Sequence, residues 1–265
     1  NLSEITEVAR TSFKEITGIS PITQAQMAGL LVIFSLIIIQ FQRVSSKIFG
    51  FLLLIFSFIW LGLTGTRGPL VAVILTILFY LIFTYQKKTS LKKILVYISV
   101  SIPILIFLGF TESLLFTRFS DLLNPEYIET SKRFYRYILF FEFLPDNFVF
   151  GLGPGGWGKH VMIGDYRYPH NIIIEFIIEY GIIGMISFLL ISLTGIRKSI
   201  KILKSPQKTW YIKSILLAWI YFTIAAMFSG SIITNSEFFV FSGIIVGINH
   251  FDQVKNRFSE RKYSI

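Results

Sequence analysis

The chain has 265 residues, of which 53% are hydrophobic and only 15% are charged, and its mean hydropathy is +0.67. Soluble domains carry about 25% charged residues. The composition therefore excludes an ordinary soluble domain and predicts an all-α protein that crosses a membrane several times. The sequence contains no cysteine, which excludes disulfides, thiol catalysis and cysteine metal sites.

The first segment, residues 1–21, is polar and ends at Pro21. The chain begins with Asn1, and no signal peptide opens it. We therefore expect residues 1–265 to be the carboxyl part of one membrane-embedded domain in a longer protein.

Seven apolar runs follow, and we predict about seven transmembrane helices from them. They cover residues 22–41, 48–64, 69–85, 94–110, 172–195, 210–229 and 232–249. Several hold about 17 apolar residues, which is near the lower limit for crossing a bilayer core. The last run contains Asn235, Ser236 and Glu237, so we expect it to be short or re-entrant.

Lys and Arg residues concentrate in alternate connections between these runs, namely 42–47, 86–93, 196–209 and the tail 250–265. Together with Lys213, these segments hold 16 of the 25 basic residues. Because basic connections remain in the cytoplasm, we expect a cytoplasmic C-terminus and an external connection at residues 111–171. Topology and anionic lipids explain the net charge of +10, so we expect no nucleic-acid partner.

Arg67 lies in a short predicted external turn, Thr64-Gly-Thr-Arg-Gly-Pro69. The glycines on both sides would let the arginine approach another backbone or a ligand. By itself, however, the turn equally fits an arginine that extends towards lipid head groups.

The connection 111–171 is the one large predicted external loop, and loops of this length are usually functional or disordered. Its aromatic content favours order. Residues 125–143 have the pattern of an amphipathic helix that begins at Pro125 and ends before Pro145.

Three basic residues, Lys132, Arg133 and Arg136, fall within little more than one turn of that predicted helix. Like charges so spaced repel, whereas the arginine guanidinium suits phosphate and diphosphate. The cluster thus fits an anion site. The alternative is an ion pair between Glu129 and Arg133 on a solvated face.

The same loop contains a glycine-rich segment, Phe150-Gly-Leu-Gly-Pro-Gly-Gly-Trp-Gly158, which suggests a shaped ligand pocket, although such segments are more often simple turns. Tyr168-Pro-His-Asn171 follows and opens an apolar helix. His170 there fits either an interfacial residue that caps the helix or a general base. Asn171, Glu175 and Glu179 recur every four residues, which gives that helix one polar face.

The ordered set of motifs over about residues 60–190 resembles the O-antigen ligase and polymerase superfamily. The motifs are Thr66-Arg-Gly68, Arg133, Gly151-Leu-Gly-Pro-Gly155, Pro169-His-Asn171, Glu175 and Glu179-Tyr-Gly-Ile-Ile-Gly184. The departures are Thr66, where serine is common, and Tyr137, where tryptophan often stands. Arg136 is so close to Arg133 that the arginine assignment could shift by one turn.

This resemblance implies a GT-C-like membrane glycosyltransferase that needs neither metal nor cofactor. It implies a bacterial inner-membrane location, with residues 111–171 as a periplasmic or extracellular catalytic loop. The implied partners are an undecaprenyl-diphosphate-linked glycan, an acceptor glycan or lipid, membrane lipids and other polysaccharide assembly proteins.

The resemblance also implies roles for named residues. Arg67 and Arg133 would hold the diphosphate, and His170 would orient or deprotonate the acceptor hydroxyl. We add a predicted substrate-binding set of Lys132, Arg136, Gly151, Gly153, Gly155, Asn171 and Glu175.

Three alternatives remain open beside a polymerase, which we favour because the loop carries no added acceptor-binding domain. The first is a ligase that transfers the glycan to a different lipid or to a protein. The second is a transporter of lipid-linked sugars, which the near absence of charged residues from the centres of the runs disfavours. The third, a scaffold or sensor, leaves the glycine-rich segment without a role.

Overall fold

A computed structural model describes Glu15 and residues 18–41, 43–84, 132–160, 168–204, 210–228 and 230–247. The regular structure within these ranges is entirely helical, as predicted. We number its helices in chain order as α1 (Pro21–Phe41), α2 (Val44–Leu63), α3 (Arg67–Thr84), α4 (Lys132–Asn147), α5 (Gly156–His160), α6 (Ile172–Lys204), α7 (Trp210–Ala225) and α8 (Ser236–Gly247).

Three helices are long and apolar enough to cross a membrane by length and composition: α1 to Gln40, α2, and α6. The apolar helices α3, α7 and α8 are shorter. Together they occupy six of the seven predicted runs. The seventh run, 94–110, lies outside the described residues, so the count of seven stays a prediction.

Helices α1 and α2 form a tight antiparallel pair because only two residues connect them. Gly50 permits this approach, since a Cβ there would lie 2.9 Å from a methyl carbon of Ile38. Helix α1 also contacts α7, where the Tyr221 hydroxyl donates a hydrogen bond to the Gln26 carbonyl (3.0 Å). Gly29 leaves the space that the Tyr221 ring occupies.

The hydrophobic core lies where α1, α2, α3, α6, α7 and α8 meet. The same helices also bury polar side chains, among them Ser35, Thr76 and Thr223, whose hydroxyls donate to carbonyls of their own helices. Trp219 of α7 fills the centre, and Gly195 of α6 makes room for its ring. The Trp219 indole N–H donates to the Ser242 hydroxyl of α8 (2.8 Å), which satisfies a buried polar group.

Two helices differ in length from the prediction. Helix α6 continues through the basic segment to Lys204 because Ser199, Ile202 and Leu203 keep one face buried beyond residue 195. Helix α8 begins only at Ser236 and has 12 residues, so the last run is short, as expected. Turns occupy residues 232–235 before it.

Pro145 lies inside α4, so the prediction that this helix ends before Pro145 was wrong. Proline lacks a backbone donor and its ring crowds the carbonyl four residues earlier, but the last turn of α4 gains other hydrogen bonds. The Asn147 amide donates to the Phe143 carbonyl (2.9 Å), and Gly151 N–H donates to the Asn147 carbonyl (2.8 Å). The predicted start at Pro125 lies outside the described residues.

The helix ends define two sides of the array. The N-termini of α3 and α6 and the C-terminus of α7 lie together, and we call this side the site end. Ile172 N–H of α6 donates to the Ala226 carbonyl (3.1 Å), and Gly68 of α3 packs against Phe228. At the opposite side α1 meets α2 at Arg43, and α6 ends at Lys204.

Candidate active site

The site is built on a break in α6. At Gly181 the backbone takes φ 64° and ψ −155°, which is outside helical geometry and suited to glycine. In a continuous helix Ile182 N–H would bond to the Ile178 carbonyl. The break releases both groups for partners elsewhere in the chain.

The glycine-rich segment occupies this break. Phe148 carbonyl accepts from Ile182 N–H (2.8 Å), and Leu152 N–H donates to the released Ile178 carbonyl (2.8 Å). Gly153 N–H donates to the Glu179 carbonyl (2.9 Å). The segment thus completes the hydrogen bonding of α6 where the helix cannot complete its own.

Two glycines allow the segment to lie this close. A Cβ at Gly151 would collide with the backbone of Glu179 and Tyr180, and a Cβ at Gly181 would collide with the backbone of Val149. Backbone cannot rotate aside as a long side chain can. Both positions therefore require glycine for a steric reason in addition to their positive φ.

The backbone donors from Gly151 to Gly156 are all used within the protein. Gly151, Leu152 and Gly153 donate as described above, and Pro154 has no N–H. Gly155 N–H donates to Glu179 Oε2 (3.0 Å), and Gly156 N–H donates to the Gly153 carbonyl (2.9 Å). The segment is therefore not a nest of open amides of the kind that cradles phosphate.

A small hydrophobic cluster fixes α4, α5 and the glycine segment on α6. Trp157 of α5 is fully buried at its centre, against Leu139 and Phe140 of α4 and Ile178 of α6. Replacing a buried tryptophan with alanine costs about 3–5 kcal/mol. Trp157 is thus the main apolar anchor of the segment.

The entrance to α6 has strained backbone at His170. Its φ is +59°, the one positive φ at a non-glycine residue in the described part of the chain. The half-buried imidazole packs edge-on against Tyr168, with ring centroids 4.4 Å apart. Strain of this kind costs about 1–3 kcal/mol and is concentrated at functional sites.

Asn171, rather than His170, caps α6. Its Oδ1 accepts from the N–H groups of Ile173 (2.9 Å) and Ile174 (3.3 Å). This is the bonding expected of an N-cap asparagine. Asn171 therefore provides the helix cap, and the interpretation of His170 as the capping residue is unnecessary.

Glu175 lies one turn into α6 and is 4% exposed. Its Oε2 accepts a hydrogen bond from Ile232 N–H (2.9 Å), which attaches the turn at residues 230–235 to the site end. Within that turn, the Asn235 side chain donates to the Ser231 carbonyl (2.8 Å). The turn is therefore rigidly folded where it meets Glu175.

Arg67 is the first residue of α3 and is half-buried at the site end. The preceding turn is closed by the Thr64 hydroxyl, which donates to the Leu61 carbonyl (2.7 Å) and contacts the Thr66 hydroxyl (3.0 Å). Gly68 and Phe228 link this turn to the segment that follows α7. That segment in turn contacts the start of α6, so Arg67 and His170 occupy the same side of the array.

Arg136 is 5% exposed and lies on the face of α4 that also buries Leu139 and Phe140. That face packs on α6. For Arg136, the alternative of a solvated face is therefore wrong. Lys132 and Arg133 lie in the first turn of α4, and their side chains are outside the described part of the structure.

Comparison with protein families adds an independent finding. A family model described as O-antigen ligase matches residues 52–189, which is just over half of the chain. The chain belongs to the O-antigen ligase family. A search of the curated proteins found no match, and neither did a search of the solved structures.

Membership in the O-antigen ligase family confirms the resemblance drawn from the ordered motifs. It supports a glycosyltransferase-like ligase or polymerase activity on lipid-linked glycan and acceptor substrates in general. The matched segment contains Arg67, the arginine helix, the glycine segment and the His170 corner. The GT-C-like architecture stays a prediction.

Sequence reasoning missed two parts of the site. It did not foresee the break at Gly181, although glycine within the Glu179-to-Gly184 motif was a signal for one. It also did not connect residues 230–235 with Glu175. The polar Asn235 in an apolar run was the available signal, and the hydrogen bond between these two distant segments could not be read from either of them.

Proposed function

We propose that this chain transfers a glycan from a polyprenyl-diphosphate carrier to an acceptor hydroxyl at the external face of the bacterial cell membrane. The observation that carries the proposal is that Arg67 and His170 lie on the same side of the array, within the segment that matches the O-antigen ligase family. The Arg67 guanidinium is suited to bind an anionic leaving group, and the His170 imidazole is suited to accept a proton from a hydroxyl group.

The proposed reaction is one displacement at the anomeric carbon. The acceptor oxygen forms a bond to this carbon while the bond to the diphosphate oxygen breaks, and the diphosphate leaves with the electron pair. Arg67 and Arg133 stabilise the charge that develops on it. His170 accepts the hydroxyl proton as a general base. The product is a lengthened or newly attached glycan.

The distribution of charge supports an external site. Arg43 lies between α1 and α2, and Lys198, Lys201 and Lys204 lie in the last turns of α6. All are at the side opposite the site end. Since basic connections stay in the cytoplasm, this distribution supports the proposal that Arg67 and His170 face the external side.

The acceptor is proposed to be another lipid-linked glycan, which makes the enzyme a polymerase of cell-envelope polysaccharide. The carrier is proposed to be undecaprenyl diphosphate, and other assembly proteins are proposed partners. Transfer to a different lipid or to a protein, as by a ligase, is the second candidate, and the family match does not distinguish it from a polymerase. Metal independence is proposed because the sequence contains no Asp-x-Asp motif.

The test uses the full-length protein in membranes with an undecaprenyl-diphosphate-linked oligosaccharide and EDTA. Products are resolved by size. A ladder of lengthening glycan is expected for a polymerase, and a single shift onto another lipid identifies a ligase. Movement of intact donor between leaflets, without transfer, would overturn the enzyme proposal in favour of a transporter. Activity that EDTA abolishes and a divalent metal restores would contradict metal independence.

A further inference from the structure

Glu179 holds the glycine segment with two separate groups. Its backbone carbonyl accepts from Gly153 N–H (2.9 Å), and its side-chain Oε2 accepts from Gly155 N–H (3.0 Å). The residue is 6% exposed and lies two positions before the break at Gly181. One buried residue of α6 thus fixes two alternate amides of the turn.

The bound turn has an open side. Gly153 and Gly155 have φ values of +82° and +68°, and no described atom lies within 4 Å of a Cβ built on either residue. This contrasts with Gly151 and Gly156, where such a Cβ would meet neighbouring atoms. Glu179 thus holds one side of the turn, and on the other side no atom of the described residues covers its two central glycines.

The same turn offers no amide to an anion, because the donors from Gly151 to Gly156 are used internally. A diphosphate would therefore gain little from this surface. A neutral sugar ring, by contrast, needs no such donor and can lie against the apolar Cα atoms of the two glycines and the exposed Pro154. The chemistry of the turn thus favours the glycan part of the donor over its diphosphate.

We propose that Glu179 is a positioning residue that fixes the Gly153–Gly155 turn on α6, so that the open side of the turn forms the wall against which the donor sugar lies. This inference rests on the proposed glycosyl transfer. Glycine permits many backbone conformations. Without the carboxylate, the turn would lose its fixed geometry and the donor sugar would no longer be held in place. A displacement of the reacting atoms by about 1 Å is enough to lower kcat strongly.

The experiment compares the wild-type protein with Glu179→Ala and Glu179→Gln in membranes. Exposed Glu142 of α4 supplies the control variant Glu142→Ala. One measurement is kcat and KM for an undecaprenyl-diphosphate-linked oligosaccharide. The other is amide hydrogen exchange in the peptide covering residues 148–157, which reports the attachment of the turn without requiring activity.

For Glu179→Ala we expect kcat to fall about ten- to a hundred-fold, the range that corresponds to one hydrogen bond to a charged group. Exchange in residues 148–157 should rise, and the thermal unfolding midpoint should fall modestly because the Gly155 amide loses its acceptor. Glu179→Gln keeps an acceptor oxygen and should fall between wild type and alanine in both measurements. The Glu142→Ala variant should match wild type.

Normal kcat and normal exchange in Glu179→Ala would overturn the positioning role and leave the proposed function intact. If the alanine variant does not fold, Glu179→Gln decides, and wild-type values in both measurements would then also overturn the role. Inactivity of the wild-type protein would contradict the proposed function instead. If the wild-type protein is inactive, faster exchange in Glu179→Ala would still support the claim that Glu179 holds the turn on α6. Unchanged exchange would reject that claim as well.

Discussion

Glu175 Oε2 accepts a hydrogen bond from Ile232 N–H at 2.9 Å, which joins the entrance of α6 to a turn far along the chain. Glu175 lies inside the segment that matches the family, which ends at residue 189, and Ile232 lies outside it. The segment common to the family therefore does not form this side of the site by itself. The turn at residues 230–235 belongs to the structure around His170.

Removal of this contact should loosen the turn. Glu175→Ala leaves the Ile232 amide without an acceptor, and we expect a loss of about 1–3 kcal/mol in unfolding free energy. Glu175→Gln keeps an oxygen that can accept and should lose less. Thermal unfolding in detergent, followed by tryptophan fluorescence, measures both. Equal stability of the alanine variant and wild type would show that the contact contributes little.

The helical fold could be predicted because its signal is local. Runs of apolar residues fix α1, α2, α3 and the start of α6 to within a few residues, since a helix satisfies its backbone bonds internally. The end of α4 was misjudged because Pro145 was taken as a stop, whereas a late proline removes only one donor. The continuation of α6 to Lys204 depends on the burial of one face against other helices. The basic residues of that segment made it look like a connection in the sequence.

The site could be predicted as a set of residues but not as an arrangement. The motifs named Arg67, the glycine segment and His170, which all lie within the family match, and their roles in the reaction stay predictions. That glycine amides bond to α6, and not to a ligand, follows from the break at Gly181. The break is stabilised by hydrogen bonds between α6 and the glycine segment. In the sequence, the first segment looks like a continuous helix and the second like a simple turn.

His170→Asn should abolish transfer and leave the fold intact. Asparagine tolerates positive φ better than most residues, so the backbone at +59° is retained while the base is lost. We expect kcat to fall about 10²- to 10⁴-fold, the usual contribution of a general base. The readout is glycan transfer by membranes that contain equal amounts of inserted protein.

The matched control is His160→Asn. His160 is exposed on α5, where its Nδ1 lies 2.9 Å from the Gly156 carbonyl, and it has no proposed chemical role. It should transfer glycan at the wild-type rate. Full activity of His170→Asn would remove His170 from the mechanism.

Arg67→Gln should reduce kcat/KM about 10²- to 10³-fold, because it removes a charge proposed to stabilise the leaving diphosphate. Arg67→Lys keeps the charge but loses the planar fork and should be intermediate. Arg43→Gln, an exposed arginine at the opposite side of the array, is the control and should remain active. Comparable activity of Arg67→Gln and Arg43→Gln would argue that Arg67 has only an interfacial role.

Gly155→Ala tests whether the open side of the glycine turn contacts substrate, and Gly18→Ala provides a matched control. The two glycines have nearly the same φ, +68° and +66°, and no described atom lies within 4 Å of a Cβ at either one. Alanine at such a φ costs roughly 1–2 kcal/mol. The two variants should therefore lose similar stability, while only Gly155→Ala introduces a methyl group where the donor sugar is proposed to lie. We expect a raised KM for the lipid-linked donor in Gly155→Ala alone, measured by initial rates of transfer. An equal KM in both variants would place the sugar away from this turn.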